Sequence, residues 1–292
     1  MHRFQLRQLD DYLLSRRRHD GLRGVRRFAV EFLFFGIKEA RACLFAGLFF
    51  AAVFMVPRAG LLGIPRYDVL FLFAVAVQAW MVRARLETVD ELKAITLFHV
   101  IGFALEAFKT SSGIQSWIYP EAGYTKLFGV PLFSGFMYAA IGSYITQAWK
   151  MLALRIEHHP PYWMAGLLAC LIYANFFTHH YMIDIRVGLF ALSAILFGRS
   201  WFVFTPDQTA RRMPMLMGFV LVSLFIWFAE NLGTFAGAWI YPSQADGWHL
   251  VPIEKMGAWY LLMLISFVLV TLVHRPVDAC VARLREGIWR AA

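Results

Sequence analysis

The sequence predicts an all-α integral membrane protein with about eight transmembrane helices, arranged as two tandem four-helix repeats in the same orientation. An apolar composition, a duplicated motif and an uneven distribution of Lys and Arg lead to this prediction. Of the 292 residues, 60% are hydrophobic and 17% are aromatic, and the mean hydropathy is +0.57. These values differ clearly from those of soluble domains, so we expect a polytopic membrane protein.

Eight apolar stretches approach the roughly 20 residues that a helix needs to cross a bilayer. They lie near residues 37–56, 67–82, 91–108, 132–154, 162–178, 184–204, 213–230 and 256–273. The third stretch contains a histidine, and the fifth and sixth are short, so six or seven crossings also fit the pattern. The predicted organisation is a basic N-terminal segment (1–30), a first repeat (31–157), a second repeat (158–275) and a basic tail (276–292).

The repeat is visible as a duplicated tetrapeptide. Trp-Ile-Tyr-Pro occurs at 117–120 and again at 239–242, and each copy follows a Glu-x-x-x-Thr-x-x-Gly segment that begins at Glu106 or Glu230. Such internal similarity predicts two equivalent structural units. An even number of crossings in each unit would give both units the same orientation, related by an axis along the membrane normal.

Lys and Arg are concentrated on one side of the predicted helices. Eight arginines precede the first stretch, and further cations stand in the even-numbered connections and in the tail. The positive-inside rule therefore predicts a bacterial inner-membrane protein with both termini cytoplasmic and both tetrapeptides external. The formal charge of +9 follows from this asymmetry. No folded nucleic-acid-binding module accompanies the basic N-terminus, so nucleic acid is not expected as a partner.

Two repeated acids carry the functional prediction. Glu106 and Glu230 stand at the outer ends of the third and seventh stretches, where a carboxylate is costly unless it is paired, hydrogen-bonded or hydrated. Burial raises the pKa of such an acid toward the range that suits protonation of a substrate. Glu254, which follows the second tetrapeptide, is a further candidate acid. In the structural alternative, both repeated glutamates anchor the loops that follow them, through backbone amides or Lys109.

Several polar side chains are expected to accompany these acids. Thr110 and Thr234 follow the glutamates by four residues, on the same helical face and within hydrogen-bonding reach. His99 stands on that face seven residues before Glu106, as a proton partner, and Ser223 takes its place in the second copy. We also expect substrate contacts from Asn231, Lys109 and Lys255.

The repeated aromatic side chains are expected to line the mouth of the site. Trp and Tyr suit the membrane interface, which explains one such loop, but two copies close behind an acid favour a binding site for an apolar ligand or a cation. These side chains are Trp117, Tyr119, Trp239 and Tyr241. The histidine doublets at 158–159 and 179–180 lie on opposite sides of the predicted membrane, without an acid at zinc-like spacing. Neither a metal nor another cofactor is expected.

One segment resembles a known family. Residues 98–150 carry Glu-Ala-Phe-Lys-Thr at 106–110, Trp-Ile-Tyr-Pro-Glu at 117–121 and Gly-Val-Pro-Leu-Phe-Ser-Gly-Phe-Met-Tyr-Ala at 129–139. This pattern resembles the bacterial integral-membrane family called domain of unknown function 817. The likeness extends over nearly the whole chain after the basic leader, and it implies a polytopic inner-membrane protein without an assigned activity.

A second resemblance concerns the order of acid, glycine, Trp-x-Tyr and then Val-Pro-Ile-Glu at 251–254. This order is similar to that of membrane carotenoid cyclases and hydratases, whose repeats hold a glycine-tryptophan-tyrosine loop followed by proline and paired glutamates. In this chain Lys255 replaces the second glutamate, and residues 131–134 of the first half contain no acid.

Two classes of function fit these features. In the first, an intramembrane enzyme uses Glu230 or Glu254 to protonate a double bond of an isoprenoid or acyl substrate, and aromatic faces stabilise the carbocation without a redox cofactor. In the second, Glu106 and Glu230 are the protonatable sites of a transporter, tuned by Lys109 or His99. A membrane scaffold is the third possibility. The expected partners are membrane lipids and a lipid-soluble small molecule, and the sequence does not predict an oligomeric state.

Overall fold

The computed structural model describes residues 2–15 and 23–290. Helices dominate the described part of the chain, with short strands between some of them. The helices are α1 (His2–Leu14), α2 (Gly24–Ala42), α3 (Leu44–Met55), α4 (Arg66–Arg83), α5 (Val89–Lys109), α6 (Phe133–Met151), α7 (Tyr162–Thr178), α8 (Arg186–Phe197), α9 (Met215–Phe235) and α10 (Lys255–Arg290), with a 3₁₀ turn at Pro242–Gln244. Within the predicted N-terminal segment, residues 16–22 lie outside the described residues.

The prediction of eight transmembrane helices in two four-helix repeats is wrong. Among the residues described, only α9 and the Lys255–Leu272 part of α10 are long and apolar enough to cross a membrane. The first predicted stretch is interrupted at Cys43, between α2 and α3. The sixth divides into α8, which has 12 residues, and a strand. A 12-residue helix is about 18 Å long at 1.5 Å per residue, well short of a hydrocarbon core of roughly 30 Å.

Short antiparallel sheets connect the helices, and the sequence prediction did not include them. The strands are β1 (Lys126–Leu127), β2 (Val130–Pro131), β3 (Arg155–Glu157), β4 (Trp201–Phe204) and β5 (Arg211–Pro214). The first two form one pair, and β4 lies between β3 and β5 in a three-stranded sheet. The Trp-Phe-Val-Phe sequence of β4 has the aromatic and β-branched composition typical of strands.

The close packing of α5 against α6 positions part of the site. Thr88 and Glu91 form a capping box that fixes the start of α5. Farther along α5, a Cβ atom built at Gly102 would overlap the ring of Tyr138 on α6, and one built at Gly142 on α6 would overlap Phe98. Small residues at such positions allow two helices to approach closely. The missing side chain at Gly102 thus allows the Tyr138 ring to lie directly against α5.

Candidate functional site

The two Trp-Ile-Tyr-Pro segments lie side by side. Ile118 N–H donates to the carbonyl of Ile240 at 2.9 Å, and Ile240 N–H donates to the carbonyl of Ile118 at 3.0 Å. This antiparallel bridge joins the loop that follows α5 to the loop that follows α9. The duplicated motif therefore forms one paired structure, although the chain as a whole is not two four-helix repeats.

The start of α4 supports both loops from one side. The Tyr67 hydroxyl donates to the carbonyl of Ala238 at 2.9 Å and accepts from the N–H of Glu121 at 3.3 Å. Arg66 donates to the Glu121 carboxylate at 2.8 Å and to the carbonyl of Ala236 at 3.2 Å. Because each side chain contacts both loops, the paired segments are held against a helix rather than left as free connections.

Glu106, in the last turn of α5, accepts three side-chain hydrogen bonds. Its Oε2 accepts from the Trp117 indole N–H at 2.7 Å and from the Tyr119 hydroxyl at 2.8 Å. Its Oε1 accepts from the Tyr138 hydroxyl of α6 at 2.7 Å. The residue is only 3% exposed. Three converging donors favour the ionised carboxylate, which burial alone would disfavour.

Glu230, in α9, occupies the equivalent position with fewer donors. Its Oε1 accepts from the Trp239 indole N–H at 2.9 Å and from the Tyr241 hydroxyl at 2.6 Å. The residue is 5% exposed, and no hydrogen bond to its Oε2 is found among the described residues. Trp259 follows Pro252 by seven residues, as Tyr138 follows Pro131, and the Tyr138 and Trp259 rings lie against each other with centroids 6.3 Å apart. The two acids therefore differ in how completely hydrogen bonds hold them.

The charge state of the site depends on burial. Burial raises the pKa of Glu106 to about 7, the three hydrogen bonds oppose this rise, and the nearby charge of Glu230 adds to it. The Lys255 ammonium lies 4.5 Å from the centre of the Tyr241 ring, as a cation–π contact. A carboxyl group with a pKa near neutrality can exchange a proton under physiological conditions.

Both acids border a single cavity of about 1270 Å³. This volume exceeds the roughly 300–1,000 Å³ typical of sites for drug-sized ligands. Its wall is mostly apolar and extends from the paired loops past Phe49 and Leu105 to Phe204 and Phe267. Among the predicted site residues, the following line it: Glu106, Lys109, Trp117, Tyr119, Glu230, Trp239, Tyr241, Glu254 and Lys255. The arrangement combines acid groups and aromatic rings with space for an extended apolar molecule.

The other predicted polar residues lie outside this cavity wall. The His99 ring packs against Phe136, with centroids 4.6 Å apart. The Thr110 hydroxyl donates to the backbone carbonyl of Glu106 at 2.8 Å, not to its carboxylate. The Thr234 hydroxyl donates to the carbonyl of Asn231 and accepts from the indole of Trp248, each at 3.2 Å.

Asn231 has a structural position as well. Its side chain donates to the carbonyl of Trp227 at 2.8 Å and accepts from the N–H of Val251 at 2.9 Å. These bonds connect α9 to the segment before α10. These hydrogen bonds of Thr110, Thr234 and Asn231 go to backbone groups or to Trp248 rather than to the carboxylates of the two acids.

Several lining residues did not emerge from the sequence. Tyr138 reaches Glu106 only because α6 packs closely on α5, and no local motif signals that contact. His179, His180 and Arg186 line the cavity together with Lys109, and both histidines contact the Lys109 ammonium. The sequence alone does not predict that the 179–180 histidine doublet meets Lys109. Within the residues described, no group of three or more His, Cys, Asp or Glu side chains could hold a metal ion.

Comparisons with known proteins identify relatives of this chain. The family described as "Protein of unknown function (DUF817)" matches residues 31–267. The Uncharacterized protein YoaT of Bacillus subtilis (strain 168) is 48% identical over 240 residues, which cover 82% of this chain and 90% of the relative. No solved structure matches the chain.

Proposed function

We propose that this chain, which belongs to the family described as "Protein of unknown function (DUF817)", is an acid–base enzyme. It acts within the membrane on a lipid-soluble substrate, either isoprenoid-like or acyl. Family membership confirms the first resemblance seen in the sequence and assigns no activity. The proposal therefore depends on the site. One observation carries it, namely that two buried glutamates, each held by Trp and Tyr, border the same large apolar cavity.

The surface of α9 supports a membrane location. Its most apolar 18-residue segment has a mean hydropathy of 1.8, yet only 33% of that segment is buried inside the protein. A core helix of a soluble protein would be mostly buried. The exposed apolar side chains of α9 are Met217, Val220, Leu221, Phe225, Phe228, Leu232 and Phe235. An apolar surface of this kind is suited to contact with lipid.

The charges around α9 and α10 support an orientation in the bacterial inner membrane. Arg211 and Arg212 precede α9, and four arginines follow the apolar part of α10 at positions 275, 283, 285 and 290. If both helices cross the bilayer, these cations lie on one side, and the positive-inside rule makes it the cytoplasmic side. The connecting loop, with the second tetrapeptide, is then external, and the C-terminus is cytoplasmic.

The unequal environments of the acids support different roles. Glu230 has one oxygen without a described donor, so we assign it the proton that is transferred to a substrate double bond: the O–H bond breaks and a C–H bond forms. Glu106, whose three donors favour the carboxylate, is ionised above its pKa of about 7 and then stabilises the resulting carbocation. The faces of Trp239 and Tyr241 stabilise the same positive charge. Loss of a neighbouring proton to the Glu230 carboxylate, or addition of water, completes a redox-neutral reaction.

The test uses deuterium. Full-length protein in mild detergent is incubated in ²H₂O with membrane lipid extract, and lipids are analysed by mass spectrometry for deuterium bound to carbon. We expect incorporation with the wild type, and a reduction of about 10²–10⁴-fold for Glu230→Gln, which keeps the shape of the side chain and removes the proton.

The matched control is Glu87→Gln. Glu87 is also a buried glutamate, hydrogen-bonded by Gln78 and Ser143, but it does not line the cavity. This variant should retain exchange. A wild type that incorporates no deuterium, or a Glu230→Gln variant that incorporates as much, would refute the enzyme. A transporter with the same acids would bind lipid and leave its carbon-bound hydrogens unexchanged.

A further inference from the structure

A cluster of cations lies at the end of the cavity next to the two acids. Lys109, Arg186 and Lys255 line the cavity there, together with His179 and His180. They come from three separate elements of the chain: the last turn of α5, the α7–α8 region and the start of α10. The proposed acid–base chemistry assigns no role to this cluster.

Lys109 is held in position without being neutralised. Its ammonium lies 2.7 Å from His180 Nε2 and 3.3 Å from His179 Nε2, and the residue is 6% exposed. Burial lowers the pKa of Lys109 to about 8, and the charges of Lys255 and Arg186 lower it further while Asp184 opposes them. Burial and the charge of Lys109 likewise lower the pKa of His180 to about 4, so that its ring is a neutral acceptor.

Negative charge balances this cluster of three cations only in part, because Asp184 acts on Lys109 and Arg186, and Glu230 acts on Lys255. Arg186 pairs with Asp184 at 3.1 Å, but its solvent-shielded Nε has no hydrogen-bond partner among the described residues. Within the part of the chain that the structure describes, neither Lys109 nor Lys255 lies within salt-bridge distance of a carboxylate. Buried cations are costly unless an anion or hydrogen-bond acceptor accompanies them. An anionic ligand would supply that missing partner.

We infer that Lys109, Arg186 and Lys255 bind the anionic head group, a carboxylate or a phosphate, of an amphiphile whose apolar chain occupies the cavity. This inference rests on the proposed function and names the substrate class more closely. Lys255 also contacts the Tyr241 ring at 4.5 Å, and the Tyr241 hydroxyl bonds to Glu230 at 2.6 Å. A head group at Lys255 would therefore place the first part of the apolar chain beside Glu230, so that the reaction occurs near the head group.

The experiment compares three probes that share one apolar chain: hexadecanoic acid, hexadecyl phosphate and hexadecanol. Their binding to the full-length protein in mild detergent is followed by tryptophan fluorescence, with inorganic phosphate as a competitor. We expect either anion to bind at least about tenfold more tightly than the alcohol, since hydrogen bonds to charged groups contribute more than neutral ones. Lys109→Gln and Lys255→Gln should each lower the ratio of anion affinity to hexadecanol affinity about tenfold and leave hexadecanol binding unchanged.

The control variant is Lys150→Gln, because Lys150 also stands in the last turn of a helix, α6, but pairs with Glu91 outside the cavity wall. Lys109→Arg keeps the charge and should retain the preference, which separates head-group binding from loss of fold. Equal affinity for acid and alcohol in the wild type, or an equal loss in Lys150→Gln, overturns the inference. The inference is also overturned if inorganic phosphate binds as tightly as hexadecyl phosphate, because the site would then recognise free phosphate and not an amphiphile.

This result is independent of the deuterium test. If the wild type prefers the anions but incorporates no deuterium, the enzyme is refuted and the anion site stands. If it incorporates deuterium without any preference for an anion, the enzyme stands and the head-group site is refuted.

Discussion

Ile118 and Ile240 exchange both of their backbone hydrogen bonds, at 2.9 and 3.0 Å, and this pair joins two loops that are 122 residues apart, as 240 − 118 gives. Each isoleucine is flanked by the Trp and Tyr that donate to a buried glutamate. The bridge therefore links the two loops whose aromatic side chains hold the acids. Several expected outcomes depend on this arrangement.

Removal of the bridge should destabilise the site. Ile118→Pro removes the N–H that donates to the Ile240 carbonyl. The loss of this hydrogen bond should lower the free energy of unfolding by about 1–3 kcal/mol. The side chain itself is half exposed, so Ile118→Val, which keeps the N–H, should behave like the wild type. Thermal unfolding in detergent measures both variants. Equal melting temperatures for the two would show that the bridge contributes little.

The contribution of Glu106 to the stability of the protein should fall as the pH rises through neutrality. The pKa of Glu106 is about 7 in the folded chain against 4.5 for an ordinary glutamate, so the folded state binds this proton more tightly than the unfolded state. This contribution to the free energy of unfolding is complete below pH 4.5 and is lost as the pH passes about 7. Its full size is on the order of 3 kcal/mol. Glu106→Gln should flatten this dependence in melting curves recorded between about pH 5 and pH 8. A variant curve parallel to that of the wild type would assign the pH dependence to another group.

Loss of one donor should shift the proton affinity of Glu106. Tyr138→Phe removes the 2.7 Å bond to Oε1, which favours the ionised form, so the pKa of Glu106 should rise further. If catalysis requires ionised Glu106, the ascending limb of the pH–rate profile moves to higher pH. Tyr144→Phe is the control, because Tyr144 also lines the cavity but donates to Glu39. A shift of equal size in the control would contradict this assignment.

The packing that positions Tyr138 can be tested at a single glycine. Gly102→Ala places a methyl group into the Tyr138 ring, and overpacking of this kind costs about 1–3 kcal/mol. Gly166→Ala provides the comparison, since Gly166 also lies within a helix and has open space around it. That change should be neutral or stabilising by up to about 1 kcal/mol. Denaturant or thermal unfolding distinguishes the two, and equal stability would argue against the tight α5–α6 contact.

The proposed orientation predicts the positions of fused reporters. A reporter inserted after Gln244, in the loop between α9 and α10, should be external, and one fused after residue 292 should be cytoplasmic. Paired alkaline phosphatase and fluorescent-protein fusions measure this directly. If both positions report the same compartment, α9 and α10 do not form the proposed pair of crossings.

The sequence by itself determined the parts of the site that are encoded locally. Glu106 and Glu230 are followed at nearly constant spacing by a Trp and a Tyr, and in the structure those aromatic side chains donate to the acids. A helix end and the loop directly after it are neighbours in any fold, so a repeated motif there is visible without tertiary information. The apolar composition likewise predicted helices long and apolar enough to cross a membrane, and two such helices are present among the described residues.

Only the tertiary structure decided where the helices begin and end and which side chains distant in sequence contact each other. Hydropathy averaged over a window does not register the break at Cys43 or the transition from α8 to β4, which shorten the first and the sixth of the eight predicted spans. Among the described residues, two candidate spans remain. Tyr138 reaches Glu106 across 32 residues, and Lys109 reaches His180 across 71. These contacts depend on how closely helices approach, which is set by shape complementarity between faces far apart in sequence.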